Sequence, residues 1–368
     1  MKQQKSFWPS LIPVLVVFYT GCVSEQPAAD AGAPDGSPFD AGVQDAGTDT
    51  GATDFINVEE REDPGAVPAC PDPAPCTADY ERFITLSAEH ARHTSAPKIA
   101  QTLTRIDNGA VPLVPGPVAA ETLKAAVTDG LNIGFLLEGL GPRPLTVTTI
   151  ARKAAAGGEE RTLLFNDPLV GEFKGILILP EGPGPFPAVV ALHGHNDTAE
   201  IYRDQYHGSE YPGRGYAILM LSLRAMGSGT AALIEHEISL KLLLNGFTLM
   251  GLRVYESLLA LKYLRHLPEV SGASIGLIGH SGGSSTGNLS VRLGAGFAAY
   301  VSDHQVDYAE WVPSIEVYHC ETVPALYPYS ALINDFSTSL TPVKTVPYKY
   351  TNGMDEIFDF LDTRLKNR

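Results

Sequence analysis

The sequence predicts an α/β fold, a mostly parallel sheet with helices on both faces. Two observations carry that expectation. Strand-like runs at 145–151, 161–165, 173–179 and 188–192 follow one another closely, and beyond them strand and helix patterns alternate. Strands first and alternation second is the pattern of a parallel sheet closed by crossover helices. The other observation is the stretch SIGLIGHSGG at 274–283, where the apolar run 275–278 ends at Gly279 and Ser281 stands between Gly279 and Gly283. G-x-S-x-G between a predicted strand and a helix-compatible run (288–293) is a tight strand-to-helix turn. Glycines on both sides suit it, because the backbone is strained and the neighbouring elements pack close.

The elements are read from local pattern. Pro180, the stretch 182–185 and Pro187 supply the turns between the third and fourth strands. A helix at 199–206 leads to a strand at 216–221. A longer helix at 240–264, apolar at helical spacing, leads to the strand before Ser281. Another helix and a strand at 298–302 follow, then a last strand candidate at 342–350 and a closing helix at 356–365.

Bulk properties divide the chain further. Its 368 residues can bury a sizeable core, and the net charge of −16 is unevenly spread. Residues 23–79 hold thirteen acids against one base, Arg61, while Lys2 and Lys5 are the only charges in 1–22. From Tyr80 onward the chain carries only −6. No basic stripe exists to neutralise phosphates, so nucleic acid is not an expected partner.

Residues 1–22 read as an export signal. Lys2 and Lys5 form its charged region, 11–18 its apolar core, and Tyr19-Thr20-Gly21-Cys22 its small-residue end. The ending resembles a bacterial lipoprotein lipobox, with Tyr19 unusual at its first position. That resemblance implies a lipidated Cys22 and an exported protein anchored to the cell envelope by its lipid. An ordinary secretory signal is the alternative. Residues 23–79, rich in Ala, Asp, Gly and Pro with D-A-G steps at Asp30, Asp40 and Asp45, read as a disordered acidic linker. Residues 80–141 read as a helical extension, with helices at 80–93 and 119–137, and 142–368 as the main domain. Cys70 and Cys76 flank PDPAP and read as a local disulfide in an oxidising compartment. A zinc half-site is the competing reading, and no second pair exists to complete it. Cys320 is left over as a buried free thiol.

From 145 to 303 the chain resembles an α/β-hydrolase of the dienelactone hydrolase and acetyl xylan esterase branch. Four stations agree in order: Ala191-Leu192-His193-Gly194-His195 as the oxyanion loop; Gly215-Tyr216 with Leu223-Arg224-Ala225-Met226-Gly227; Gly251-Leu252-Arg253-Val254-Tyr255 with Tyr263-Leu264 and Pro268-Glu269-Val270; and the elbow itself. Ser222 stands where that branch usually has Asp. The resemblance implies a serine ester hydrolase acting on small or carbohydrate-linked carboxylic esters, with no metal or organic cofactor.

Acyl transfer from an ester needs a nucleophile, a base, an acid to orient the base, and oxyanion donors. Ser281 is the expected nucleophile, with the backbone N–H groups of Gly282 and His195 as the oxyanion hole. His193 and His280 read as structural. The base is the difficulty, because only His304 and His319 follow Ser281. Two alignments are open: one sets Asn352 in the family histidine's place, the other makes Asn352-Gly353-Met354-Asp355 the acid turn of the penultimate strand. The triad that remains open is Ser281, Asp303 and His319, with Asp355 and His304 as alternatives. A hydrolase-fold binding or surface protein without catalysis is the competing class.

Overall fold

A computed structural model of the protein describes residues 56–60, 105–106, 109–226, 235, 238–239, 242–243, 247–304, 320–321 and 323–367. The signal region with Cys22, the Cys70–Cys76 loop, the helix expected at 80–93 and His319 lie outside these residues.

Among the described residues, nine strands form one sheet in the order β1-β2-β3-β4-β6-β5-β7-β8-β9. β2 (Leu145–Ala155), β3 (Gly158–Asp167) and β4 (Gly171–Pro180) are an antiparallel meander. β4 pairs antiparallel with β6 (Ala217–Leu221). From there β5 (Phe186–Leu192), β7 (Val270–Gly279), β8 (Ala299–Ser302) and β9 (Val343–Thr345) continue in parallel. The parallel half is made of almost unbroken apolar runs because helices cover both of its faces. Side chains alternate between two cores, as the two-residue period of a strand requires. Leu177, Val190, Leu192, Leu219 and Leu277 pack on one side. Ile176, Ile178, Val189, Ala191, Ile218 and Ile278 pack on the other.

The first face is covered by α1 (Ala120–Leu131), α2 (Gly134–Glu138), α4 (Leu249–His266) and α5 (Gly282–Arg292). The second is covered by α3 (Ala199–Gln205) and α7 (Asp355–Leu361), with the short α6 (Ser330–Ile333) on the first. Thr248 caps α4 by accepting the Gly251 N–H at 2.8 Å, which fixes its start. β6 and β7 lie on opposite sides of β5, so the strand order reverses there. The loops leaving β5 and β7 therefore stand at the reversal point, the place where open α/β sheets bind ligands.

Five expectations change. The helix expected at 119–137 breaks at Asn132, which has φ 54°, into α1 and α2, and the helix expected at 240–264 is capped by Thr248 and runs Leu249–His266. Ile56–Glu60, assigned to the linker, forms the edge strand β1, paired parallel with β2 and tied to it by Arg152 and Glu60. Backbone pairing, which composition does not report, orders that piece of an acidic segment. The helix after the elbow begins at Gly282 rather than near 288, although its first turns are glycine and serine. Tertiary packing overrides propensity here: a Cβ on Gly287 would come within 2.6 Å of Tyr300, so only small residues let α5 lie this close to β8. The strand expected at 342–350 is limited to Val343–Thr345. Among the described residues no helix is long and apolar enough to cross a membrane.

Candidate active site

Ser281 sits at the C-terminal end of β7, with φ 48° and ψ −118°, a conformation that L-residues rarely adopt. The glycines around it are required by contact. A Cβ on Gly279 would stand 2.6 Å from the Gly283 carbonyl, and one on Gly283 would stand 2.2 Å from the Leu192 carbonyl. The serine is half-buried and α5 begins at the next residue. The Gly282 N–H, in the first turn, has no intrahelical acceptor and points out of the helix.

The strain is held by Asp303, at the end of β8 and 5% exposed. Its Oδ1 accepts the Ser281 N–H at 2.8 Å, and the Ser284 hydroxyl lies 3.1 Å from the same oxygen. Its Oδ2 accepts His280 Nδ1–H at 2.5 Å and the Lys349 N–H at 2.9 Å. Lys349 and Tyr350 both have positive φ (56° and 54°), and this strained loop after β9 is what delivers the Lys349 N–H. Asp303 and Ser281 are thus brought together through the serine's main chain.

His280 is buried, with its ring 4.3 Å from that of Tyr206 and 5.1 Å from that of Tyr348. Its Nε2 faces Asp197 Oδ2 at 3.9 Å. Burial pushes the Asp197 carboxyl up, against the pull of the His280 charge. The structural reading of His193 fits its surroundings. Its Nδ1–H donates to the Gly194 carbonyl at 2.8 Å, and its Nε2 accepts the Leu223 N–H at 2.9 Å. Burial lowers its pKa to about 4, so the ring is neutral and fixes the loop after β5.

That loop touches the elbow. A Cβ on Gly194 would come within 2.9 Å of Ser281 Cβ, so only glycine fits between loop and serine. The next residue, His195, lays its ring over Gly282, where an added Cβ would meet Cε1 at 2.5 Å and Nδ1 at 2.6 Å. His195 and Gly282, the expected oxyanion residues, are therefore neighbours. Sequence reasoning missed what surrounds that ring. His195 Nε2 stands 2.9 Å from Cys320 Sγ and 3.4 Å from Glu235 Oε1, and Nδ1 stands 4.0 Å from Glu321 Oε1. Glu235 also pairs with Arg253 of α4 at 2.5 Å. Burial raises the Glu235 pKa, but the His195 hydrogen bond and the Arg253 charge outweigh it and hold the carboxyl down at about 2. Cys320 is the expected buried free thiol, pushed well up by burial. The signal for this cluster in the sequence was Arg253 itself, a charge within a helix that is mostly apolar.

The alternatives for acid and base lie elsewhere. Asp355 opens α7 at the surface and pairs with Arg214 at 3.0 Å, so it is not the acid of the elbow. His304 is half-buried, its ring 6.3 Å from that of Tyr348.

Strand order and the strand–serine–helix turn together give the chain an α/β-hydrolase fold. No family model matches the chain. It is similar to acyl-coenzyme A thioesterase 1 of Mus musculus, 30% identical over 131 residues that cover 36% of this chain and 26% of that protein. YtaP of Bacillus subtilis is 28% identical over 155 residues, 38% of this chain and 51% of that protein. The chain thus spans about a quarter to a half of the length of these relatives. Among solved structures, acetyl xylan esterase 1 from Thermoanaerobacterium sp. aligns over 70% of this chain and 95% of its own, with 12% identity and a TM-score of 0.47.

Proposed function

We propose that the protein is an exported serine ester hydrolase that works through a Ser281 acyl-enzyme. The observation that carries this reading is the strained Ser281 backbone, held by Asp303 and lying against the Gly194 loop. Strain of this kind persists only where the surroundings over-determine it, and it clusters at functional sites. In the first half-reaction the Ser281 oxygen attacks the acyl carbon while its proton passes to an imidazole. The carbonyl oxygen becomes an oxyanion facing the N–H groups of Gly282 and His195. Collapse expels the alcohol, which takes the proton, and water repeats the sequence to release the acid.

His319 is the proposed base. Supporting it, the two residues that follow it reach the elbow: Cys320 contacts His195, and Glu321 Oε1 lies 2.9 Å from where a Gly282 Cβ would be. Asp303 serves the triad by fixing the serine's backbone. Small and carbohydrate-linked carboxylic esters are the proposed substrates, and the thioesterase similarity adds acyl thioesters to the panel worth assaying. Ser281→Ala and His319→Ala should each reduce turnover of short-chain aryl esters by roughly four to six orders of magnitude, because members of one catalytic unit are not additive. Equal activity in wild type and Ser281→Ala would refute the reading.

The second reading is a binding or surface protein that has lost catalysis. Favouring it, no hydrogen bond joins the Ser281 hydroxyl to an imidazole among the described residues. Absence of turnover across small esters, sugar esters and thioesters would decide for it. Anchoring through a lipid on Cys22 belongs to the same proposal. Cys22→Ser should release the protein from membrane fractions, and an unmodified N-terminus in the wild type would refute the anchor.

A further inference from the structure

The sequence implied no metal, yet the fold gathers three metal-ligating side chains from distant parts of the chain. His195 follows β5, Glu235 lies between β6 and α4, and Cys320 follows β8. Their ligand atoms all lie within 4.8 Å of one another. Glu235 and Cys320 are 2% and 1% exposed, whereas His195 is reachable from solvent. We propose that this triplet binds a thiophilic divalent cation of the Zn2+ class, through the His195 imidazole, the Cys320 thiolate and the Glu235 carboxylate. The proposal does not depend on the esterase reading.

The donor set and its spacing suit such an ion. Tetrahedral zinc bonds at about 2.0–2.1 Å to nitrogen, 2.0–2.2 Å to oxygen and 2.3 Å to sulfur, which puts its ligand atoms roughly 3.3–3.7 Å apart. The 3.4 Å between His195 Nε2 and Glu235 Oε1 already matches, and the 2.9 Å to Cys320 Sγ needs a small opening.

Ligating carboxylates are commonly hydrogen-bonded in turn, and here Arg253 donates to Glu235 at 2.5 Å. Glu321 Oε1 stands 4.0 Å from His195 Nδ1, beyond hydrogen-bond length. Beside the cluster Arg253 is fully buried, and its Nη1 has no hydrogen-bond partner among the described residues. Charges then balance: Arg253 offsets Glu235, while the thiolate and the Glu321 carboxylate offset the divalent ion. Binding forms the metal–sulfur bond as the Cys320 S–H bond breaks, and the proton leaves to solvent with no electron transferred.

The site bears on the elbow from behind. His195 turns Cε1 and Nδ1 to Gly282 and Nε2 to Glu235 and Cys320. An ion on Nε2 pins the ring against Gly282 and fastens the loop after β5 to the segment that carries Cys320.

The test uses the full chain, freed of metal by chelation and dialysis. Zn2+ is titrated calorimetrically in two buffers of different ionisation enthalpy, and Co2+ binding is followed by absorption. The wild type should bind one Zn2+ with release of a proton, and Co2+ should give a near-ultraviolet thiolate-to-cobalt band. Cys320→Ser should lose that band and weaken Zn2+ binding about 100-fold or more, since losing even an outer partner costs 10–100-fold. The Cys70→Ser/Cys76→Ser double variant should bind like the wild type. Should Cys320→Ser fail to fold, His195→Gln, altered at the partly exposed ligand, should show the same weakening. Unchanged affinity in either single variant, or no cobalt–thiolate band in the wild type, overturns the proposal.

Discussion

The main-chain N–H of Ser281 donates to Asp303 Oδ1 at 2.8 Å, so the acid at the end of β8 grips the serine at the end of β7 by its backbone. The other oxygen of the same carboxylate holds His280 and the Lys349 N–H. One buried side chain thereby joins the ends of β7 and β8 and the loop after β9.

Asp303→Asn puts an NH2 group against two donors, whichever way the amide turns. Breaking a buried charged network typically costs about 3–5 kcal/mol, and a loss in that range is expected in urea unfolding. The elbow should lose its reactivity at the same time. A loss under about 1 kcal/mol would contradict the clasp.

Gly282→Ala and Gly283→Ala separate site from scaffold. The new Cβ at 283 meets the Leu192 carbonyl at 2.2 Å, and backbone in mid-sheet has nowhere to go. The Cβ at 282 meets the His195 ring and Glu321 Oε1, which are side chains able to turn away. Gly283→Ala should therefore destabilise by more than the 1–3 kcal/mol usual for overpacking. Gly282→Ala should stay at about that level while losing esterase activity. The reverse order of melting temperatures would contradict the packing described.

How much of this was legible in the sequence follows from how local each signal is. The elbow was readable because glycine, serine and an apolar run sit within ten residues. The parallel strands were readable because burial on both faces leaves unbroken apolar runs. β1 was not, since its pattern is polar and its order comes from β2, about ninety residues later. Asp303 was found as an acid after a strand. That it would clasp the Ser281 backbone depended on the register of β7 against β8, which no local pattern encodes. Glu235, Arg253, Cys320 and Glu321 converge through long-range contacts and left almost no trace.

His193 gives a pH signature. Its folded pKa, depressed from 6.5 to about 4 by burial, means that the unfolded chain takes up the proton first. Its contribution is present above pH 6.5 and is lost progressively as pH falls from 6.5 towards 4. The loss amounts to roughly 3 kcal/mol across that window. His193→Gln should be less stable at pH 7 and flatter across this range. Parallel stability–pH curves for the two proteins would contradict a neutral, hydrogen-bonded His193.

The most direct measurement of the central claim is covalent labelling of the full-length chain with a serine-directed fluorophosphonate, located by peptide mass spectrometry. The account predicts one adduct, on Ser281, suppressed by an aryl acetate substrate and absent from Ser281→Ala. A wild-type chain that hydrolyses esters without taking the label at Ser281, or a Ser281→Ala chain that keeps its turnover, would contradict it.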